Sequence, residues 1–243
     1  MSEMKDIELV RPSYLANLNP IDRETPVQQE DIRVPSIVIA QPAGSALKEE
    51  DPGYIDGLKA GQFYNGQDRS IYGKVALFQF IHYYKVFNVF KGTPQSPDWV
   101  ESLPESEFMK LKNRVFQEHG VMTPDKPDCF IKETWRFVVA PQVDDTIDFA
   151  FLNVKPGGIS DAKLWVNAMY SRFKKGEDVL TLIWEIPTYS KESKTANATS
   201  YQIDGNKIKV VGYVDQAKYE KAVRIRDQIK KLQAQFLGSD GEY

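Results

Sequence analysis

The stretch SIYGKVALFQFIHYYKVFNVFKG, Ser70 to Gly92, constrains the fold more than any other part of this chain. Its β-branched and aromatic residues read as one long β run from Tyr72 to Phe90. Successive side chains of a strand point to opposite faces. On a regular strand the odd positions, Ile71, Val75, Leu77, Ile81, Tyr83, Phe87 and Val89, make a largely aliphatic core face. The even positions, Tyr72, Lys74, Ala76, Phe78, Phe80, His82, Tyr84, Val86, Asn88 and Phe90, mix rings with polar and cationic groups. If that face is open, flat rings with Lys74 among them and Lys85 next to Tyr84 in sequence suit single-stranded nucleic acid, whose bases stack on rings while cations neutralise its backbone. If it is closed, the same rings are core.

The rest of the chain supplies partners for this run. Met1 to Arg33 is acidic and broken by Pro12, Pro20 and Pro26, so it reads as an arm of 33 residues. VPSIVIAQ reads as a strand. Asp51 to Asn65 is rich in turn chemistry. Thr93 to Ser106 reads as a proline-rich loop, and Glu105 to His119 as a helix through Phe108, Leu111, Val115 and Phe116. DCFIKETWRFVVAPQ and DDTIDFAFLNV read as a hairpin about PQVDDT. Ser160 is placed to cap a helix ending at Lys174, Lys175 and Gly176. DVLTLIWEIPTYSK and NKIKVVGYV read as strands separated by the polar KESKTANATSYQIDG. An amphipathic helix runs from Asp215 to about Phe236. The expected fold is α+β and mainly antiparallel, an OB-like twisted sheet or small barrel with two or three packed helices. The expected domain covers residues 34–236, with a short acidic tip at 237–243.

Composition removes several function classes. The chain has 243 residues, 31 Lys and Arg against 34 Asp and Glu, and a net charge of -3, so any polyanion site must be a local patch. The chain has one cysteine, Cys129, and two histidines, His82 and His119. No finger or ribbon set of zinc ligands can be built from these, and no metal or cofactor is expected. A lone Cys129 suits a reducing compartment, and no apolar run reaches the length of a membrane span, so the expected location is the cytoplasm. There is no phosphate-binding Gly-rich motif with lysine and no nucleophile elbow. KPGGIS before a helix reads as a glycine turn, and Asp144, Asp145 and Asp148 as a solvated turn. No enzyme is expected.

Rings with basic neighbours recur outside the opening run. Trp135 lies near Lys132 and Arg136, Tyr170 and Phe173 near Arg172, Lys174 and Lys175, and Tyr189 near Lys191 and Lys194. The final helix carries further cations, and the tip ends in Asp240, Glu242 and Tyr243, which offer an anion and a ring to a partner.

Three features resemble a family of bacteriophage proteins: a proline-containing strand ending in Gln, Pro35 to Gln41; a turn from Gly61 to Asn65; and Tyr72-Gly73 before the long β run. Some members look like single-stranded DNA-binding proteins on an OB-like barrel. The resemblance implies a role in DNA replication or recombination in the host cytoplasm. Single-stranded DNA is then the expected partner, with replication or recombination proteins at the tip, and homo-oligomerisation is open. The alternative expectation is a virion structural or assembly protein using the aromatic face and the arm as subunit interfaces; a weaker one is a nuclease built on Asp144 to Asp148.

Overall fold

The computed structural model describes residues 34–93, 96–117, 120–143, 148–192 and 199–238, with side chains as far as Gln233. The expected arm and residues 239–243 of the expected tip lie outside these. The first strands are β1 (Ser36–Ile39), β2 (Phe63–Asn65), β3 (Ile71–Gly73), β4 (Val75–Thr93) and β5 (Ser96–Pro104), followed by α1 (Glu105–Lys110). Then come β6 (Val115–Gln117), β7 (Gly120–Met122), β8 (Cys129–Pro141), β9 (Ala150–Val154) and α2 (Ile159–Lys174). The chain closes with β10 (Leu182–Glu192), β11 (Thr199–Ile203), β12 (Lys209–Tyr213) and α3 (Gln216–Gly238). This is the expected α+β, mainly antiparallel sheet with helices packed on it. Among the described residues no helix is long and apolar enough to cross a membrane.

Pairing, together with the continuity of the chain from β3 into β4, joins the strands of the first half of the sheet. β1 pairs β2, β2 pairs β3, and β3 continues through Lys74 into β4. β4 pairs β8, β8 pairs β9, and β9 returns to β1 in parallel, with Ile37 beside Leu152. The inward side chains of these strands, Ile37, Phe63, Phe78, Phe137 and Leu152, are no more than 2% exposed. β10 lies beside the first part of β4 and carries β11 and β12.

Helices close the sheet from both sides. Ala162, Trp165 and Met169 of α2 recur at helical spacing and are buried. Trp165 stacks on Phe137 at 4.5 Å between ring centroids and meets Phe80 edge-on at 6.1 Å. On the opposite side Ala222, Ile225 and Ile229 of α3 join Ile81, Val138 and Phe151 in a second cluster. The far half of β4 leaves this barrel and builds a lobe with β5, α1, β6, β7 and the start of β8. Its core is Phe87, Val89, Leu103, Phe108, Val121 and Ile131, with the Phe87 and Phe108 rings stacked at 3.8 Å.

Four local expectations are corrected. The proline-rich segment after Thr93 is strand β5, which pairs β4 on one side, so Pro97 and Pro104 stand where prolines are tolerated in a sheet. The helix expected to His119 stops at Lys110. Lys112 N–H donates to Asp125 Oδ2 at 2.7 Å and Asn113 takes φ 49°, which turns the chain toward β6. Ser160 sits inside the first turn of α2, whose N-cap is Gly158. Residues Thr199–Ile203, read as part of a polar loop, are strand β11.

Phe80 is 7% exposed between α2 and the barrel. Phe80→Ala is expected to cost about 3–5 kcal/mol and, for a domain of this size, to lower Tm by roughly 6–20 °C. Thermal unfolding followed by circular dichroism measures it, and an unchanged Tm would mean the ring is not core.

Candidate nucleic-acid interface

The long strand is not regular. β4 pairs β8 with Phe80 opposite Val139 and His82 opposite Val138, so Ile81 is an extra residue and the strand bulges there. One inserted residue exchanges the faces for everything that follows. Before the bulge, even-numbered Ala76, Phe78 and Phe80 point into the barrel under α2. After it, even-numbered His82 and Tyr84 lie on the α3 side, while odd-numbered Tyr83 and Phe87 face the side of α2 and α1. The assignment of all even positions to one binding face is therefore corrected. Phe78 and Phe80 are buried, and Tyr72 packs on Phe78 with centroids 6.4 Å apart, so none of the three rings is open to stack a base.

His82 is half-buried beneath the end of α3, and its Nε2–H donates to Gln233 Oε1 at 3.2 Å. Burial lowers its pKa, Lys230 and Arg226 push the same way, and the Gln233 hydrogen bond opposes them.

Beyond His82 the α3 side of the sheet carries a strip of cations laid on rings. Directly paired residues share a face, so the strip reads rung by rung. Its first rung is Tyr84, Arg136 and Asn153; Arg136 Nε–H donates to Asn153 Oδ1 at 2.9 Å. The guanidinium lies 4.9 Å from the Phe151 ring centre and 5.8 Å from that of Tyr84. Pro104, Val86 and Thr134 follow, then Ser102, Asn88 and Lys132, and finally Trp99, Phe90 and Phe130. Lys132 Nζ sits 5.0 Å over Phe130 and 5.7 Å over Phe90. Trp99 is 63% exposed, and its indole N–H donates to Ser102 Oγ at 3.3 Å. The nine residues from His82 to Phe90, eight steps along the strand, span roughly 26 Å.

Charge is sorted between the two faces of this lobe. The strip's rungs hold Arg136 and Lys132 and no carboxylate. On the other side Glu133 stands opposite Phe87, Glu101 opposite Val89 and Asp98 opposite Lys91. Lys85 lies there too. Its Nζ pairs with Glu105 at 2.7 Å and sits 5.7 Å over Trp135, and the Glu105 hydrogen bond raises its pKa.

The remaining basic candidates are elsewhere. Lys74 sits 5.7 Å over Tyr201, and Lys191 donates to the Gly157 carbonyl at 3.4 Å. Arg172 pairs with Glu177 at 3.1 Å, Lys174 lies 4.6 Å over Tyr170, and Lys175 caps α2. Lys194, Asp240, Glu242 and Tyr243 lie outside the described residues, as do Asp144 and Asp145. Asp148 pairs with Lys221, and among the described residues no three His, Cys, Asp or Glu side chains group as a metal site. Of the expected residues, Tyr84, Lys132 and Arg136 meet on one surface and His82 flanks it. Trp99, Phe130 and Asn153 were missed; an extra residue at Val100 puts Trp99 on the face opposite to that of Glu101 and Leu103, so alternation along β5 did not signal it.

Residues 7–235 match the family model described as Pam3 phage gp34-like protein. The chain belongs to this family. No curated protein and no solved structure matches it. Membership makes it a bacteriophage protein, as the three sequence features of the barrel strands implied.

A histidine whose folded pKa is depressed adds stability that is present above its unfolded pKa, near 6.5, and lost as pH falls through the folded value. Tm is therefore expected to fall more steeply between pH 7 and pH 5 in the unaltered protein than in His82→Gln. Parallel Tm curves for the two proteins would show that His82 is not buried as described.

Proposed function

We propose that this phage protein binds single-stranded DNA along the strip from Tyr84 to Trp99, in the service of DNA replication or recombination in the host cytoplasm. The observation that supports the reading is the sorting of side chains at paired rungs: Arg136 and Lys132 on rings, an exposed indole, and carboxylates confined to the other face. Bases stack on Trp99 and on the exposed parts of Phe90 and Tyr84, each worth about 1–3 kcal/mol. The two cations meet phosphates, and Ser102 and Asn88 offer hydrogen bonds between the rings. Duplex DNA keeps its base faces stacked and gains only the phosphate contacts. The reading requires no enzymatic step. A replication or recombination partner is proposed for Asp240, Glu242 and Tyr243, whose anions and ring suit such a contact.

One observation favours a second reading. Phe116 is 76% exposed, and Val115 and Met122, its neighbours on the β6–β7 hairpin, are exposed as well. Exposed apolar groups of this kind mark protein interfaces, which suits a virion structural or assembly protein. Mass spectrometry of purified virions distinguishes the two readings, since an assembly component is present there at fixed copy number.

Fluorescence anisotropy with labelled oligo-dT and with duplex of equal length tests the first reading. The single strand is expected to bind more tightly, and with two phosphate contacts its affinity should fall about sevenfold between 50 and 200 mM salt. Trp99→Ala is expected to weaken binding by about 5- to 150-fold without lowering Tm. Absence of oligo-dT binding at the lower salt would overturn the proposal, and so would full affinity in Trp99→Ala.

A further inference from the structure

The edge of β4 that faces away from β8 changes neighbours midway. β10 pairs it from Val75 to Gln79, and β5 pairs it from Val86 to Thr93. Between Gln79 and Val86 no described strand lies beside it. A cavity of about 510 Å³ opens there, lined by Phe80, His82, Tyr83, Phe173, Arg226 and Lys230 among others. Its size is in the range of small-ligand sites.

The lining has a definite chemistry. Alternate residues of a strand direct their N–H and C=O groups to each edge, so the floor presents backbone donors and acceptors. Tyr83 and the 65%-exposed ring of Phe173 supply flat apolar walls. The acids in the wall are engaged: Glu177 by Arg172, and Asp178 by the Tyr219 hydroxyl at 3.0 Å. Arg226 and Lys230 stand on the α3 side. Rings for a face, backbone groups for an edge and cations nearby are what one nucleotide requires. An extended peptide adding a strand here fits less well. The gap is closed at each end by β10 and β5, and the bulge at Ile81 breaks the ladder that such a strand would have to follow.

We propose that this gap takes one base of the bound strand, splayed out from the strip past His82. His82 belongs to both surfaces, and its ring centroid is 6.2 Å from that of Tyr84 at an interplanar angle of 32°. The inference rests on the single-strand reading of the strip. It adds that the protein holds one nucleobase apart from its neighbours by hydrogen bonds to its edge, which gives a means of preferring one base at that position.

Two measurements on the full chain test it with oligo-dT in which thymines are replaced by 4-thiothymine. Phe173→Ala is expected to weaken anisotropy-measured binding by about 5- to 150-fold, the loss of one stacked base. Tyr170→Ala, an exposed ring on the same helix outside the cavity, is expected to leave it unchanged. Irradiation, digestion and mass spectrometry should place adducts on Tyr83 or Phe173. Unchanged affinity in Phe173→Ala, or adducts confined to Tyr84, Phe90 and Trp99, would overturn the inference while leaving the strip in place; an extended-peptide occupant would give that result. Failure of the unaltered protein to bind any oligonucleotide would remove the strip reading and the gap together.

Discussion

The pairing of β4 with β8, with one extra residue at Ile81, is the constraint on which the other features depend. A bulge adds twist and re-aims the side chains beyond it. Here it separates a closed half of the strand from a half that stands free of the barrel. Before it, Phe78 and Phe80 complete the barrel and seat α2. After it, Tyr84, Asn88 and Phe90 appear on the α3 side, past the contact between His82 and Gln233. β10 parts from β4 at Gln79, two residues before Ile81, and β5 takes its place only at Val86. The gap in the sheet and the strip with its exposed Trp99 both follow the insertion at Ile81 along the strand.

The two halves are held by different means. The barrel relies on large buried rings in mutual contact, Phe137, Trp165, Phe80 and Trp184, where removal of any one leaves a cavity. The lobe has a smaller apolar core and leans on ion pairs such as Lys126 with Glu101 and Lys85 with Glu105, which are partly exposed and individually weak. Its cations on the strip are oriented before any ligand arrives. Arg136 is fixed by Asn153 and by two rings, and Lys132 by two rings, each such contact contributing about 0.5–1 kcal/mol at exposed sites. Little side-chain freedom remains to be lost when a phosphate or a base meets them.

Much of the fold was legible in the sequence because long elements carry their period. The β run, the hairpin of β8 and β9, and α2 and α3 all declare themselves by apolar spacing. What was hidden is local. Both Ile81 and His82 suit a regular strand, so nothing in composition marks the bulge, and the rings before it, Tyr72, Phe78 and Phe80, were assigned to the open face although they pack in the core. Pro97 and Pro104 argued for a loop where an edge strand can hold them. Phe108, Leu111, Val115 and Phe116 mimic one helix although a turn at Asn113 divides them between α1 and β6. For the candidate site, Tyr84, Lys132 and Arg136 were readable as rings with basic neighbours. Trp99 was not, because it was lost with its strand, and Asn153 was not, because its part is to hold Arg136.

The net charge of -3 bears on how a polyanion would reach the strip. Charges separated by more than about 8 Å are largely screened at physiological salt, so the chain as a whole neither steers a nucleic acid in nor strongly repels it. The sorting of charge within the lobe acts at contact distance. Glu101, Glu133 and Asp98 face away, and a strand lying on Trp99, Phe90 and Tyr84 meets only Lys132 and Arg136 at the paired rungs. With two cations, phosphate neutralisation contributes modestly and does not distinguish one strand from two. Stacking does, because it needs base faces that a duplex keeps covered. In this reading strand selectivity resides in the rings, and the cations on them set orientation more than affinity.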